Sequence, residues 1–398
     1  MELDFSAFEI ARIPRIVFGD GSLNKVPMLA VQYDQRMLLV TGARSFRESP
    51  FWAPFTQGVK SQGMDYEIFT VTGEPSPQMV DEATRQFRNA GIEVVVGIGG
   101  GSVLDAAKAI AGLLRVPNSV MDYLEGVGPE LPYQGPSVPF IAVPTTAGTG
   151  SEATKNAVLS VQGEHGFKKS FRHEMLVPEY AVIDPQLLKT CPPAQIAANG
   201  MDALTQLLES CVSLKANPFT DALAMSGIRA VRDGLFDWVE DTPRAAEGRA
   251  AMAYAALLSG ITLAQAGLGS VHGLAAPLGA FFPIPHGVVC GTLVATCTGM
   301  NLTALRQREP DSPALSRYAH AGRVLSDNMT LDDDAACEAL LELLNNWTQR
   351  LALPRLSDYG MKQADIPRVV ATCRGSSMKT NPVELTDAEV AEILQERL

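Results

Sequence analysis

His272 and His286 enclose thirteen residues, Gly-Leu-Ala-Ala-Pro-Leu-Gly-Ala-Phe-Phe-Pro-Ile-Pro, in a chain that has only five histidines. Imidazoles held in such apolar surroundings need a proton partner or a metal, because an unsatisfied buried polar group costs about 1–3 kcal/mol. Upstream, Asp202 and Gln206 stand at i and i+4, which places a carboxylate and an amide on one face of an expected helix. Asp202, His272 and His286 make a two-histidine, one-carboxylate set suited to Fe2+ and acceptable to Zn2+, with the amide oxygen of Gln206 as a weak fourth ligand. Cys290, four residues past His286, is a further donor of metal-binding type. The alternative is a pair of satisfied structural histidines, with Asp202 and Gln206 on an ordinary helix face.

A second chemistry is written in glycine. Gly99-Gly100-Gly101-Ser102-Val-Leu-Asp105-Ala-Ala-Lys108 follows the apolar run 94–98 and opens an amphipathic pattern. Glycines there let the backbone approach a diphosphate, and the amides of a helix N-terminus point at the anion. The loop is neither G-x-G-x-x-G nor a Walker loop, and a purely structural tight turn is the alternative. A second small-residue loop, 145–151, offers the hydroxyls of Thr145, Thr146 and Thr149 at another strand end, suited to a nicotinamide ribose or an inner phosphate.

The elements that must position these groups follow from the apolar patterning. Residues 37–41, 66–71, 94–98 and 139–143 read as strands, and Ser76 with Pro77 reads as a helix start with Gly91 as its stop. This alternation predicts a doubly wound α/β domain with a parallel sheet. Beyond about residue 184, Ala/Leu-rich helical patterns dominate, with Thr242-Pro243 as one helix start and another helix over 331–351. The expected domains are 1–187, α/β and dinucleotide-binding, and 188–398, helical, with the carboxyl ends of the strands and the histidine pair meeting at a cleft.

Composition narrows the function classes. The chain has 398 residues, 46% hydrophobic and 19% charged, enough for a large core. Its net charge of −12 argues against nucleic acid and against attraction to an anionic membrane surface. No signal-like start and no apolar run of about 20 residues suited to a bilayer is seen. The six cysteines lack any C-x-x-C spacing, as expected of reduced thiols in a cytoplasmic protein.

These motifs together resemble the iron-containing (group III) alcohol dehydrogenase family. The resemblance rests on residues 14–21, the glycine loop 99–108, Pro144 to Glu152, Gly200-Met-Asp202-Ala-Leu-Thr205, His272 to Gly287, and Asn381-Pro382. It implies a dehydroquinate synthase-like fold, with an α/β dinucleotide-binding domain and an all-α domain that holds a divalent metal. It also implies hydride transfer between NAD(P)H and a small alcohol or aldehyde, and a homodimer. Carried over by position, Asp202, His272 and His286 are metal ligands, with Gln206 where a third histidine usually stands. Gly101 and Ser102 touch the diphosphate, Thr145 to Thr149 line the cofactor beside Gly99, Gly100 and Asp105, and Lys168 matches a cofactor-contacting lysine.

The departures carry consequences. An amide lacks the nitrogen donor of a histidine, so Gln206 changes the ligand set, and Ala276 stands where a second histidine often lies near the nicotinamide. Gly42 replaces an aspartate that would hold the adenosine ribose, which with Arg44 nearby favours tolerance of NADP(H) as well as NAD(H). Cys290-Gly291 replaces a polar pair. Leu278, Phe281 and Phe282 suggest an apolar pocket or a core. The competing readings are another reaction on the same fold, such as maleylacetate reduction or glycerol oxidation, and a metal-free dinucleotide-binding protein.

Overall fold

Short runs of aliphatic residues, each closed by a glycine or proline, build the first half of the molecule. The computed structural model describes residues 6–163 and 166–398. Its strands are β1 (Arg15–Phe18), β2 (Arg36–Gly42), β3 (Asp65–Val71), β4 (Val94–Gly99), β5 (Phe140–Pro144), β6 (Asn156–Val161), β7 (Phe167–Arg172) and β8 (Tyr180–Ile183). Six of them form one sheet in the order β1-β8-β5-β4-β2-β3, every neighbouring pair parallel, while β6 and β7 pair separately. Strands β4 and β5 are buried at every position, which is why their sequences run apolar without alternation.

Helices α1 (Val26–Ala30), α2 (Trp52–Ser61), α3 (Pro77–Phe87) and α4 (Gly101–Leu113) accompany this sheet. As expected, Ser76 caps α3, its hydroxyl accepting from the Met79 amide at 3.2 Å, and Pro77 occupies the first turn, where no amide hydrogen is needed. The doubly wound parallel sheet read from the sequence is the architecture of this unit, which comprises Ala11–Val161 and Lys168–Cys191. Its register sets Gly99 opposite Pro144, so the loops leaving β4 and β5 emerge side by side at the carboxyl ends of the strands.

The second unit, built on Pro192–Leu398, is helical. It contains α5 (Pro193–Val212), α6 (Pro218–Val239), α7 (Ala245–Ala266), α8 (Ser270–Phe281), α9 (His286–Arg308), α10 (Pro313–Leu325), α11 (Asp333–Arg350), α12 (Ile366–Thr372) and α13 (Asp387–Glu396). Helix α5 packs against α6, α7 and α9 and is buried at almost every position of its last three turns. Helices α6 and α7 approach closely because Gly234 and Gly248 face each other; a Cβ at Gly248 would lie 2.6 Å from the Gly234 carbonyl oxygen.

One expectation is corrected here. Helix α7 starts at Ala245, not at Pro243: the Thr242 hydroxyl accepts from the Arg244 amide at 3.1 Å and closes a turn before the helix proper. Helix α9 is long and, on average, apolar enough to cross a bilayer, but its apolar run is interrupted by threonines and Asn301, and 83% of its most apolar window is buried, so core packing accounts for its composition.

Candidate metal centre and dinucleotide loops

Three helices of the second unit converge their polar side chains in an otherwise aliphatic core. Helix α5 carries Asp202, Gln206 and Glu209 along one face, at intervals of four and three residues. Helix α8 brings His272 in its first turn, and α9 begins with His286, placing Cys290 one turn later. One donor atom from each of Asp202, His272, His286 and Cys290 lies within 4.8 Å of all the others. The Nε2 atom of His272 is 3.3 Å from Asp202 Oδ1, and that of His286 is 3.8 Å from the same oxygen. The Cys290 Sγ is 3.5 Å from His272 Nε2 and 3.7 Å from His286 Nε2.

Glu209, which the sequence reading did not single out, sets the orientation of His272. Its Oε1 accepts from the Val271 amide at 2.6 Å and its Oε2 lies 2.7 Å from His272 Nδ1. A carboxylate on Nδ1 holds a proton there, so Nε2 is the nitrogen turned to Asp202 and Cys290: it donates to Asp202 while protonated and can ligate a metal once that proton leaves. Gly269 permits this approach, since a Cβ there would lie 3.0 Å from Glu209 Oε1 and 2.8 Å from Asn381 Oδ1. Asn381 in turn accepts from the Ser270 amide at 3.0 Å and so pins the start of α8.

Electrostatics favour a cation at this point. Asp202 is fully buried, and its Oδ2 has no hydrogen-bond donor among the described residues. Burial alone would push its carboxyl up, but the charge of His286 and the hydrogen bond from His272 outweigh it and hold Asp202 below the usual carboxylate range. Burial likewise disfavours protonation of His272, yet Cys290 and Glu209 prevail and raise it well above the ordinary imidazole value. Burial pushes the Cys290 thiol up to about 12. A divalent cation would satisfy the orphaned carboxylate oxygen and both imidazole lone pairs at once, so the residues fit a metal.

Gln206 is placed differently from the expectation. Its Oε1 accepts from the Ser259 hydroxyl at 2.8 Å, and its Nε2 donates to Asp202 Oδ1 at 3.4 Å. The amide oxygen that was expected to serve as a weak ligand is turned to Ser259, and a donor faces the cluster instead. Leu278 is fully buried and part of the core, while Phe281 lies half-buried beneath the Arg368 guanidinium, 3.7 Å from its ring centre.

In the sheet unit, Gly42, Gly99, Gly100, Gly101, Ser102, Thr145, Thr146 and Thr149 gather at the carboxyl ends of β2, β4 and β5. The Thr145 amide donates to the Gly99 carbonyl at 2.9 Å. A Cβ at Gly100 would sit 3.2 Å from Thr146, one at Gly101 2.9 Å from Thr149, and one at Gly42 3.8 Å from Val103. Helix α4 starts at Gly101 without a side-chain cap, so no side chain of the cap residue accepts from its first amides.

Side chains below the loop hold it in place. Lys108 is fully buried, and its ammonium donates to the Ser151 carbonyl at 2.8 Å, Thr154 Oγ1 at 2.9 Å and the Asn156 carbonyl at 2.6 Å. Asp105 accepts from the Ser151 hydroxyl at 2.5 Å, so it braces the two loops against each other. Burial pulls Lys108 down to about 8 and pushes Glu152 beside it up to about 7. Lys168 pairs with Glu74 at 3.2 Å, and the Ser102 hydroxyl donates to the other oxygen of Glu74 at 3.4 Å. Glu74 thus joins two residues the sequence had singled out, with no motif of its own to announce it.

Comparison with known proteins agrees along the whole chain. The family described as iron-containing alcohol dehydrogenase matches residues 14–185, and the C-terminal part of the Fe-containing alcohol dehydrogenase family matches residues 196–398. The chain is 31% identical to the probable alcohol dehydrogenase EutG of Salmonella typhimurium, covering 98% of this chain and 96% of that one. It is 28% identical to the NAD-dependent methanol dehydrogenase of Bacillus methanolicus, covering 97% and 98%. The crystal structure of a 1,3-propanediol oxidoreductase superposes with a TM-score of 0.89 at 28% identity, over 99% of this chain and 100% of the other.

Proposed function

The chain belongs to the iron-containing alcohol dehydrogenase family, oxidoreductases of dehydroquinate synthase-like fold that act on CH–OH donors, and on that premise we propose how its own residues share the work. Asp202, His272 and His286 hold a divalent metal, and the loops at 99–102 and 145–149 hold the dinucleotide while hydride passes between nicotinamide and a small alcohol or aldehyde. The observation that carries this reading is the buried Asp202 carboxylate, whose Oδ1 lies 3.3 and 3.8 Å from two imidazole nitrogens while its Oδ2 has no donor among the described residues, with one imidazole aimed by Glu209.

When bound, the metal supplies Lewis acidity that stabilises negative charge on the substrate oxygen and eases loss of the hydroxyl proton. Glu209 keeps His272 in the ligating tautomer. The uncapped first turn of α4 takes the diphosphate on its amides, and the Thr145, Thr146 and Thr149 hydroxyls order the inner part of the dinucleotide. Lys168, held by Glu74, supplies a positive charge beside Ser102. NAD(H) use is supported by the NAD-dependent relative, and NADP(H) use follows from Gly42, which leaves no carboxylate at the end of β2, with Arg44 exposed two residues on. Iron is the metal implied by the family, and the active form is a homodimer.

The test is oxidation of NADH and NADPH with a panel of short aldehydes, before and after chelation and readdition of Fe2+ or Zn2+. Activity that disappears on chelation and returns with metal supports the reading. Absence of turnover with either metal, while the dinucleotide still binds, overturns it in favour of a metal-free dinucleotide-binding protein.

A further inference from the structure

Taking the metal site just proposed as its basis, we propose that Cys290 is its fourth protein ligand, in the role that Gln206 does not fill, so that the chain carries an Asp-His-His-Cys set selective for zinc over iron. The geometry is that of a tetrahedron waiting to be centred. Metal–donor bonds of about 2.0–2.3 Å place tetrahedral donors roughly 3.3–3.8 Å apart. The separations from Asp202 Oδ1 to the two imidazole nitrogens are 3.3 and 3.8 Å, and those from Cys290 Sγ to the same nitrogens are 3.5 and 3.7 Å.

Cys290 is also set apart from the other thiols. Cys191, Cys337 and Cys373 donate to backbone carbonyls, whereas Cys290 is fully buried and faces two imidazole nitrogens. It lies one turn beyond His286 on α9, the spacing that puts two ligands on one helix face. Gln206 meanwhile has its oxygen committed to Ser259 and offers the cluster only N–H, which no metal accepts. The two departures therefore compensate: the nitrogen donor lost from α5 is replaced by a sulfur donor from α9.

As the sulfur–metal bond forms, the thiol S–H bond breaks and its proton passes to solvent, with no change of oxidation state. The resulting thiolate is softer than the imidazole it replaces and adds a second negative charge to the ligand set. The charge strengthens binding of either dication, and the softer sulfur donor favours Zn2+ over Fe2+.

The experiment is titration of the metal-free protein with Co2+ followed by optical absorption. The expected result is one Co2+ per chain, with tetrahedral d–d bands and a thiolate-to-metal charge-transfer band in the near ultraviolet. C290S should retain the d–d bands and lose the charge-transfer band, and Q206A should retain both. Zinc-edge X-ray absorption of the wild-type protein, which does not depend on any variant folding, should show one sulfur at about 2.3 Å. In competition, the preference for Zn2+ over Fe2+ should fall at least about tenfold in C290S. One Co2+ bound without a charge-transfer band, or zinc with only light scatterers, overturns the sulfur ligand and leaves the metal site standing. Failure of the wild-type protein to bind Co2+ or Zn2+ at all overturns the metal site itself.

Discussion

The two polar centres of this molecule are built from opposite materials. The dinucleotide loops are made of backbone: glycines that admit close approach, and amides of a helix start left uncapped. The proposed metal cluster is made of side chains brought from three helices, with the Glu209 carboxylate behind them that orients His272. A backbone site is spoiled by adding atoms, and a side-chain site by removing them. The first should therefore fail through steric intrusion and lose affinity by degrees, while the second should fail through loss of charge and lose function outright.

The sharpest way to break this contrast is at Asp202. Asp202→Asn keeps the shape and removes the only carboxylate among the four clustered donors, so kcat/KM should fall on the order of 10^3-fold or more, with metal content falling in parallel. NAD(H) binding should be unchanged, and retention of activity within tenfold of wild type would contradict the assignment.

Charge is also buried beneath the backbone site, and there its effect is on stability. Glu152 is held at about 7 by burial, above the usual value near 4.5. Between those values the folded chain binds more protons than the unfolded one, so this contribution is present below about pH 4.5 and lost as pH rises through about 7. Glu152→Gln is neutral throughout and should gain on the wild type by roughly 3 kcal/mol over that interval. Urea midpoints measured at pH 5 and pH 8 test it, and a constant difference between the two proteins would refute it.

Glu209→Gln probes orientation without touching a ligand. Metal affinity should drop by about 10–100-fold, read by chelator competition, while dinucleotide affinity holds. The smallest effect is expected at Gly101. Gly101→Ala places a methyl 2.9 Å from Thr149, so the Kd for NAD(H) should rise by about tenfold with metal content unaltered. A loss of metal in that variant would show that the two centres are not separable in this way.

The same contrast explains what was legible in the sequence. The glycine loop and its strand are contiguous, and each strand shows as a local apolar run, so strands 94–98 and 139–143 and the loops that follow them were legible in the sequence, though their register was not. His272 and His286 stood out by rarity and apolar setting, and Asp202 by its i, i+4 pairing with Gln206 and the family resemblance of residues 200–205. Glu209 did not, because it is 63 residues from the histidine it orients and is one acidic side chain among 44. The turn of Gln206 toward Ser259, 53 residues away, and the facing of Cys290 toward His272, 18 residues away, depend on how α5, α7, α8 and α9 pack. Glu74 was hidden for the same reason, its partners Ser102 and Lys168 lying 28 and 94 residues off. Spacing within a helix is readable; helix-to-helix register is not.

The position of Asn381 bears on the order in which the molecule is made. All four clustered donors have left the ribosome well before this residue, yet the start of α8, which aims His272, is held by the Asn381 side chain. The sheet unit ends at Cys191 and is free to fold while the helices are still being synthesised. Metal binding at the proposed site would therefore come late in the life of the polypeptide, and a nascent or C-terminally clipped chain would present histidines and a cysteine that no scaffold yet restrains from binding whichever ion arrives first.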